Sequence, residues 1–132
     1  MPLSIPGLEL CLDPVPESVA IARRRVSGFA AAHGADDPSD VALAVSEICS
    51  NVVLHAYRDG SAGDLEVRAR VGCDGTLVVN VRDDGCGMSP RTDSPGVGLG
   101  LPIAAAVADE FEVRRPRDGG TEVSMVFAFA GG

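Results

Sequence analysis

The apolar positions of the chain follow two different periods. Half-buried strands are predicted where apolar and polar residues alternate, which occurs at residues 8–12, 65–71, 77–81 and 111–129. Amphipathic helices are predicted where apolar residues recur at three- and four-residue steps, over residues 16–33, 37–57 and 99–108. The last strand segment contains a turn, so the predicted order is β-α-α-β-β-α-β-β, with a glycine-rich loop over residues 84–100.

This order predicts the fold class. Most strands come in hairpins, and the helices can gather on one face of the sheet, which is typical of an α+β two-layer sandwich. We expect a mixed, mostly antiparallel sheet covered on one face by three helices. A chain of 132 residues, 45% of them hydrophobic, can bury one core, so residues 1–132 are expected to form a single domain.

The second helical segment carries a row of polar side chains. Glu47, Asn51 and His55 follow one another at four-residue steps, so on an α-helix they lie along one face. This row falls beside the apolar stripe of the segment, not opposite it. We therefore expect Glu47 and Asn51 at the rim of the core, where a carboxylate is either paired structurally or placed to act on a ligand. His55 is expected to be a packed, hydrogen-bonded histidine.

The basic residues exclude two common nucleotide-binding mechanisms. All 11 are arginine, so the chain lacks the lysine that a P-loop and an ordinary protein kinase both need. A net charge of −8 also argues against binding to nucleic acid, which requires clustered positive charge. Three consecutive arginines, at positions 23–25, form either a solvated helix face or a local basic patch for a protein partner.

The sequence predicts a cytoplasmic protein that stays out of the membrane. No apolar run approaches the roughly 20 residues that span a bilayer, and the first residues, MPLSIPG, lack the features of a secretory signal. The four cysteines show no C-x-x-C spacing, which favours reduced thiols over a disulfide framework or a zinc site.

Two glycine-rich motifs flank the predicted loop. VRDDGCGM places Asp83, Gly85 and Gly87 at the end of a strand, where glycines let the backbone approach a flat ligand and a carboxylate can accept a hydrogen bond from an amino group. GVGLGL places Gly98 and Gly100 at the start of a helix, whose free N–H groups can bind an anion. Either motif alone is weak evidence, because a lone glycine string is more typical of a tight turn than of a nucleotide site.

The order of the motifs is more specific than any one of them. An E-x-x-x-N helix precedes a strand that ends in D-x-G-x-G; G-x-G-L-G-L and a Gly-Thr pair on a closing strand follow. This order resembles the GHKL, or Bergerat-fold, ATP-binding superfamily. Within it, the chain length and the segment SEICSNVVLHAY resemble the anti-sigma-factor serine/threonine kinases.

The resemblance implies a kinase that uses ATP and Mg²⁺. Glu47 would be the general base for a substrate serine, and Asn51 would bind the Mg²⁺ that bridges the phosphates. Asp83 would accept a hydrogen bond from the adenine amino group, with support from Thr121 on the last strand. Four glycines would contact the nucleotide through their backbone. Gly85 and Gly87 would line the adenine pocket, and Gly98 and Gly100 would place backbone amides against the phosphates.

The resemblance also implies protein partners, namely a sigma factor and an anti-sigma-factor antagonist, and a homodimer as the expected assembly. One alternative is an ATP-binding module that switches partners without catalysis. The short segment between residues 88 and 96, and the absence of the arginine that many relatives carry near positions 95–97, favour it. A second alternative is a histidine-kinase catalytic domain, which would need a dimerisation helix pair with a phosphoacceptor histidine; this sequence has no counterpart of that pair.

Overall fold

One five-stranded sheet organises the computed structural model, which describes residues 7–35, 37–56, 63–72, 75–84, 101–115 and 119–128. The strand order is β1-β2-β3-β5-β4, and all four described pairings are antiparallel. The strands are β1 (Gly7–Leu12), β2 (Leu65–Val71), β3 (Thr76–Asp83), β4 (Glu110–Arg114) and β5 (Thr121–Ala128). The helices are α1 (Pro16–Ala32), α2 (Ser39–Asn51) and α3 (Leu101–Val107). The predicted α+β architecture is confirmed.

The core lies between the helices and one face of the sheet. Alternate residues of β2, β3 and β5 are buried, whereas the residues between them are half-buried or exposed. The buried strand residues form one cluster with the apolar faces of α1 and α2. Small side chains on these helices, including Ala22, Ala30 and Ala44, are fully buried, which lets the two helices approach each other closely. The site residues are therefore carried by a packed helix layer and a packed sheet.

The outer surface of α1 carries the three consecutive arginines. Arg23, Arg24 and Arg25 are all exposed on α1, as a solvated helix face requires. No helix within the described ranges combines the length and the apolar character that crossing a bilayer takes.

The second helix ends earlier than its pattern predicts. Its α-helical part stops at Asn51, and a π-helical turn continues from Val52 to Ala56. The turn begins with two β-branched residues, Val52 and Val53, whose side chains crowd the preceding turn of an α-helix. Because a π-turn holds more residues than an α-turn, four-residue steps no longer keep side chains in line beyond Asn51. The predicted row is therefore regular only from Glu47 to Asn51.

A glycine pair leads into the last strand and brings it against the end of β3. Gly119 and Gly120 both have positive φ, of 101° and 85°. A Cβ atom on Gly120 would lie 2.1 Å from the carbonyl oxygen of Asp83, whereas a Cβ on Gly119 would meet nothing within 4 Å. The same turn starts the β3–β5 pairing, in which Thr121 lies directly opposite Asp83. Gly120 thus permits a close backbone approach that no other residue allows.

Gly120→Ala should lower the free energy of unfolding more than Gly119→Ala does. Both variants place a side chain at positive φ, a strain of about 1–3 kcal/mol each. Only the change at Gly120 adds a clash with the Asp83 backbone. Gly120→Ala should therefore lower the free energy of unfolding by at least about 1 kcal/mol more than Gly119→Ala does. Urea denaturation of both variants measures the difference. Equal losses would contradict the close approach at Gly120.

Candidate functional site

Glu47 and Asn51 lie one turn apart on the same flank of α2. The rotation of the helix is fixed by Ile48 and Cys49, which lie between them in sequence and are fully buried in the core. Glu47 is consequently half-buried at the edge of the core, and Asn51 is buried with 7% of its surface exposed. The structure thus places both residues on one side of one helix, the carboxylate nearer to solvent than the amide.

The side chain of Asn51 has unused hydrogen-bonding capacity. Its Nδ2 atom is buried and has no hydrogen-bond partner in the structure. A buried polar atom without a partner costs about 1–3 kcal/mol, so such atoms in folded proteins call for a specific reason. A polar ligand bound beside the helix would supply the missing contact. Because the amide also carries an oxygen, the same side chain could ligate a hard cation.

Asp83 and Thr121 form the second pair of the site. They lie directly opposite each other on the neighbouring strands β3 and β5, and each is 2% exposed. Directly opposed residues of an antiparallel pair have Cβ atoms about 4.5–5.5 Å apart, within reach of a hydroxyl-to-carboxylate contact. Both residues occupy buried positions in phase with the core residues of their strands, so they face the helix layer. A carboxylate acceptor is therefore placed at the inner face of the sheet, at the end of a central strand.

A cysteine within the helical part of the site is excluded from its chemistry. Cys49 lies between Glu47 and Asn51 in sequence, but its side chain points into the core. Burial raises the pKa of the Cys49 thiol to about 12, so the thiol remains protonated at neutral pH. Cys49 is a packing residue.

The four glycines assigned to the nucleotide, Gly85, Gly87, Gly98 and Gly100, lie outside the described residues, as does the short segment between the two glycine motifs. Gly120 contributes to the position of Asp83, although its place in the Gly-Thr pair predicts no role for the glycine itself. The sequence does contain an indication of this, since two consecutive glycines directly before a strand are typical of a turn with positive φ. The structure shows that this glycine holds the backbone of Asp83 close to β5.

The arrangement suits a nucleotide and its metal. It combines a buried carboxylate on the sheet, a buried amide with an unsatisfied atom on the helix and, one turn away, a carboxylate with access to solvent. A carboxylate can accept a hydrogen bond from an exocyclic amino group, and an amide oxygen is a suitable ligand for Mg²⁺, which otherwise keeps phosphate and water ligands. The residues present therefore fit both groups.

Several known proteins resemble this chain in sequence or in structure. A serine-protein kinase RsbW of Bacillus velezensis is 35% identical over 95% of this chain and 87% of its own length. An anti-sigma F factor of Clostridium botulinum is 30% identical over 83% of this chain and 85% of its own length. Among solved structures, the RsbU and RsbW domains of a Mycobacterium tuberculosis protein match with a TM-score of 0.73 and 28% identity. The match covers 93% of this chain and 32% of that one.

A more distant structural match points to the same fold. The histidine kinase domain of a blue-light activated histidine kinase from Erythrobacter litoralis is 32% identical over 69% of this chain and 44% of its own, with a TM-score of 0.58. The model of the histidine kinase-like ATPase domain matches residues 12–127. This range includes both residue pairs of the site and the described sheet except residues 7–11 of β1 and the last residue of β5. The chain therefore belongs to the histidine kinase-like ATPase domain family.

Proposed function

We propose that this protein is an anti-sigma regulatory factor with serine/threonine kinase activity: it transfers a phosphoryl group from ATP to a serine of an anti-sigma-factor antagonist. The observation that carries the proposal is the pairing of Glu47 with Asn51 on one flank of α2, where a half-buried carboxylate lies one turn from a buried amide with an unsatisfied atom. The names of two relatives support the proposal: one is a serine-protein kinase, which supports the kinase activity, and one is an anti-sigma F factor, which supports the regulatory role.

The adenine ring is assigned to Asp83. Its buried carboxylate would accept a hydrogen bond from the amino group of the base, and Thr121 opposite it would hold the carboxylate in place. Such a contact selects adenine, since guanine carries an oxygen where adenine carries that amino group. Gly85 and Gly87, just beyond β3, are proposed to line the base pocket.

Asp83→Asn should weaken ATP binding about tenfold or more, because an amide donor would then face the amino donor of adenine, at a cost of about 1.5–3 kcal/mol. Calorimetric titration with ATP measures the loss. Asp84→Asn removes the neighbouring, exposed carboxylate and is the matched control, expected to bind ATP normally. The native protein should bind GTP poorly, and equal binding of ATP and GTP would rule out the assignment of Asp83.

The phosphates are assigned to Mg²⁺ and to backbone amides. Asn51 would be the protein ligand of the metal, and Gly98 and Gly100 would bring N–H groups to the phosphates at the start of α3. The metal, when bound, neutralises phosphate charge, a task that the chain has no lysine to perform. Asn51 lies at the end of the α-helical part of α2, so its side chain is held by the packed core.

Asn51→Ala should weaken binding of Mg²⁺-ATP more than binding of ATP without metal, since it removes the metal ligand and leaves the adenine contact intact. Titrations with Mg²⁺ and with EDTA compare the two affinities, and Ser50→Ala, one residue earlier on the same helix, is the control. If both affinities fell equally, Asn51 would be a structural residue of the site and the metal assignment would fail.

Glu47 is assigned to the chemical step. Its carboxylate would accept the proton of the substrate serine hydroxyl while the serine oxygen attacks the γ-phosphorus, and ADP would leave with the electrons of the broken bond. The base must reach both solvent and the phosphates, and a half-buried position on the flank of α2 meets this need. Base and metal ligand lie on one helix face because both act at the same phosphoryl group.

Glu47→Gln should leave ATP affinity nearly unchanged and reduce serine phosphorylation about 10²–10⁴-fold, because the amide keeps the shape of the side chain and cannot accept the proton. Transfer of labelled phosphate to the antagonist measures the rate, and Glu17→Gln on the exposed surface of α1 is the matched control. Normal transfer combined with a lower melting temperature would make Glu47 a structural acid in a non-catalytic ATP-binding module.

The chemical stability of the product separates the two kinds of kinase that share this fold. Phosphoserine survives acid treatment, whereas phosphohistidine does not, so acid-stable label on the antagonist supports the proposal and acid-labile label contradicts it. The proposed partners are a sigma factor, which the protein would hold inactive, and the antagonist, which would compete for it until it is phosphorylated. We place this exchange in the cytoplasm, with no direct contact to nucleic acid or membrane.

A further inference from the structure

Exposed apolar side chains gather on the helices that carry the candidate site. Among the described residues, five large apolar side chains are exposed, and three of them lie on α2, on the π-helical turn that follows it and on α3. These three are Leu43, with 41% of its surface exposed, Leu54 with 65% and Ile103 with 41%. Single exposed apolar residues are common on proteins, but a group of them beside a site indicates a binding surface.

Glu47 lies between the two leucines along α2 and its π-helical turn. Because a helix rises by about 1.5 Å per residue, Leu43 precedes Glu47 by about 6 Å, and Leu54 follows it by roughly 10 Å. Both leucines face solvent, and Glu47 is half-buried beside them. The carboxylate of Glu47 therefore has an exposed leucine on either side of it along the helix.

The third helix extends this surface without adding charge. α3 packs against α2, and Ala104 within it is fully buried, whereas the residues on either side of Ala104 are exposed and apolar. Residues 41–54 and 101–107 contain a single acidic or basic residue, Glu47, although 23% of the whole chain is charged. The exposed apolar residues of the two segments form what we call the apolar surface. It comprises Leu43, Leu54, Pro102, Ile103, Ala105 and Ala106.

We infer that the apolar surface binds the substrate protein around its acceptor serine, and that this segment of the substrate runs along α2 and carries apolar, uncharged side chains. The assignment rests on the proposed function and adds to it the kind of sequence that the kinase accepts.

The position of Glu47 identifies the occupant of the apolar surface. A serine whose proton Glu47 accepts must lie within hydrogen-bond distance of the carboxylate. An extended chain advances about 3.3 Å per residue, so side chains two or three positions from that serine reach Leu43 in one direction and Leu54 in the other. The two leucines are thus placed to contact the residues that flank the acceptor serine.

The charge of Glu47 explains why the flanking residues should be uncharged. A lysine or arginine beside the serine would pair with the carboxylate and hold it away from the serine hydroxyl, and an acidic residue would be repelled by it. The chain as a whole carries a net charge of −8, which also disfavours an acidic segment. Apolar residues avoid both effects, and by covering Leu43 and Leu54 they exclude water from the proton acceptor.

Short peptides with a central serine test this preference. Three peptides of equal length carry the same fluorescent label and differ only in the residues on either side of the serine: leucine and valine in the first, glutamine and asparagine in the second, and lysine in the third. Fluorescence anisotropy measures their binding to the full chain with ADP at about 0.5 M salt, where attraction of lysine to an acidic protein is screened. The apolar peptide should bind roughly tenfold or more tightly than either of the others.

Leu43→Ser and Leu54→Ser should each weaken binding of the apolar peptide roughly fivefold or more, because each removes an apolar contact on one side of Glu47. Val15→Ser is the matched control, since Val15 has the same exposed fraction as Leu43, 41%, and lies before α1, outside the apolar surface. This control should bind the peptide as the native chain does. Ile103→Ser repeats the test on α3, should either leucine variant fail to fold.

The inference is overturned if the three peptides bind alike, if none of them binds, or if the leucine variants bind the apolar peptide as well as the Val15→Ser control does. It is also overturned if a second copy of the chain covers the apolar surface, which Leu43→Ser would reveal by converting an oligomer to a monomer in sedimentation equilibrium.

The proposed kinase activity is judged separately, by transfer of label from ATP to the same peptides. Binding of the apolar peptide through the two leucines without any transfer contradicts the kinase activity and leaves the apolar surface assigned. Transfer to peptides that bind equally well supports the kinase activity and removes the assignment of the surface.

Discussion

The antiparallel pairing of β3 with β5 determines what both faces of the sheet can do. On the inner face it places Asp83 opposite Thr121 among the core residues. On the outer face it places Arg82 beside Glu122 and Val78 beside Val126. Because side chains alternate along a strand, a shift of this register by one residue would bury the charges and expose the core. The position of the candidate site residues and the chemistry of the outer face therefore depend on one strand register.

The second helix carries core residues and candidate site residues in the same turns. Ile48 and Cys49 anchor it in the core, and this anchoring determines how far Glu47 and Asn51 reach toward solvent. The buried Nδ2 atom of Asn51 costs stability while it has no partner, and a ligand that supplies one stabilises the folded state by the same thermodynamic coupling. The helix is thus less stable than its apolar face alone would make it.

The sequence was sufficient to predict features that repeat along the chain. The alternation of Leu77, Val79 and Val81 predicts β3, and the spacing of Val41, Val45 and Ile48 predicts both α2 and the rim position of Glu47 and Asn51. Features that depend on contacts between distant segments were less accessible. The π-helical turn after Asn51 interrupts no apolar spacing, and the role of Gly120 depends on the carbonyl of Asp83, far away in sequence. Asp83 and Thr121 lie opposite each other because of the register of the β3–β5 pairing, which periodicity alone does not specify.

The strand order also affects how the chain is made. β2 and β3 form a local hairpin, but the other neighbour of β3 is the last strand, which follows it after residues 84–120. On the ribosome, β3 is therefore an edge strand for the time that these residues take to be synthesised, with its backbone N–H and C=O groups available to other chains. Thr121 joins Asp83 only at the end of that interval, so the inner face of the sheet is completed late. A nascent chain of this protein therefore has an unpaired edge on β3 until β5 has been translated.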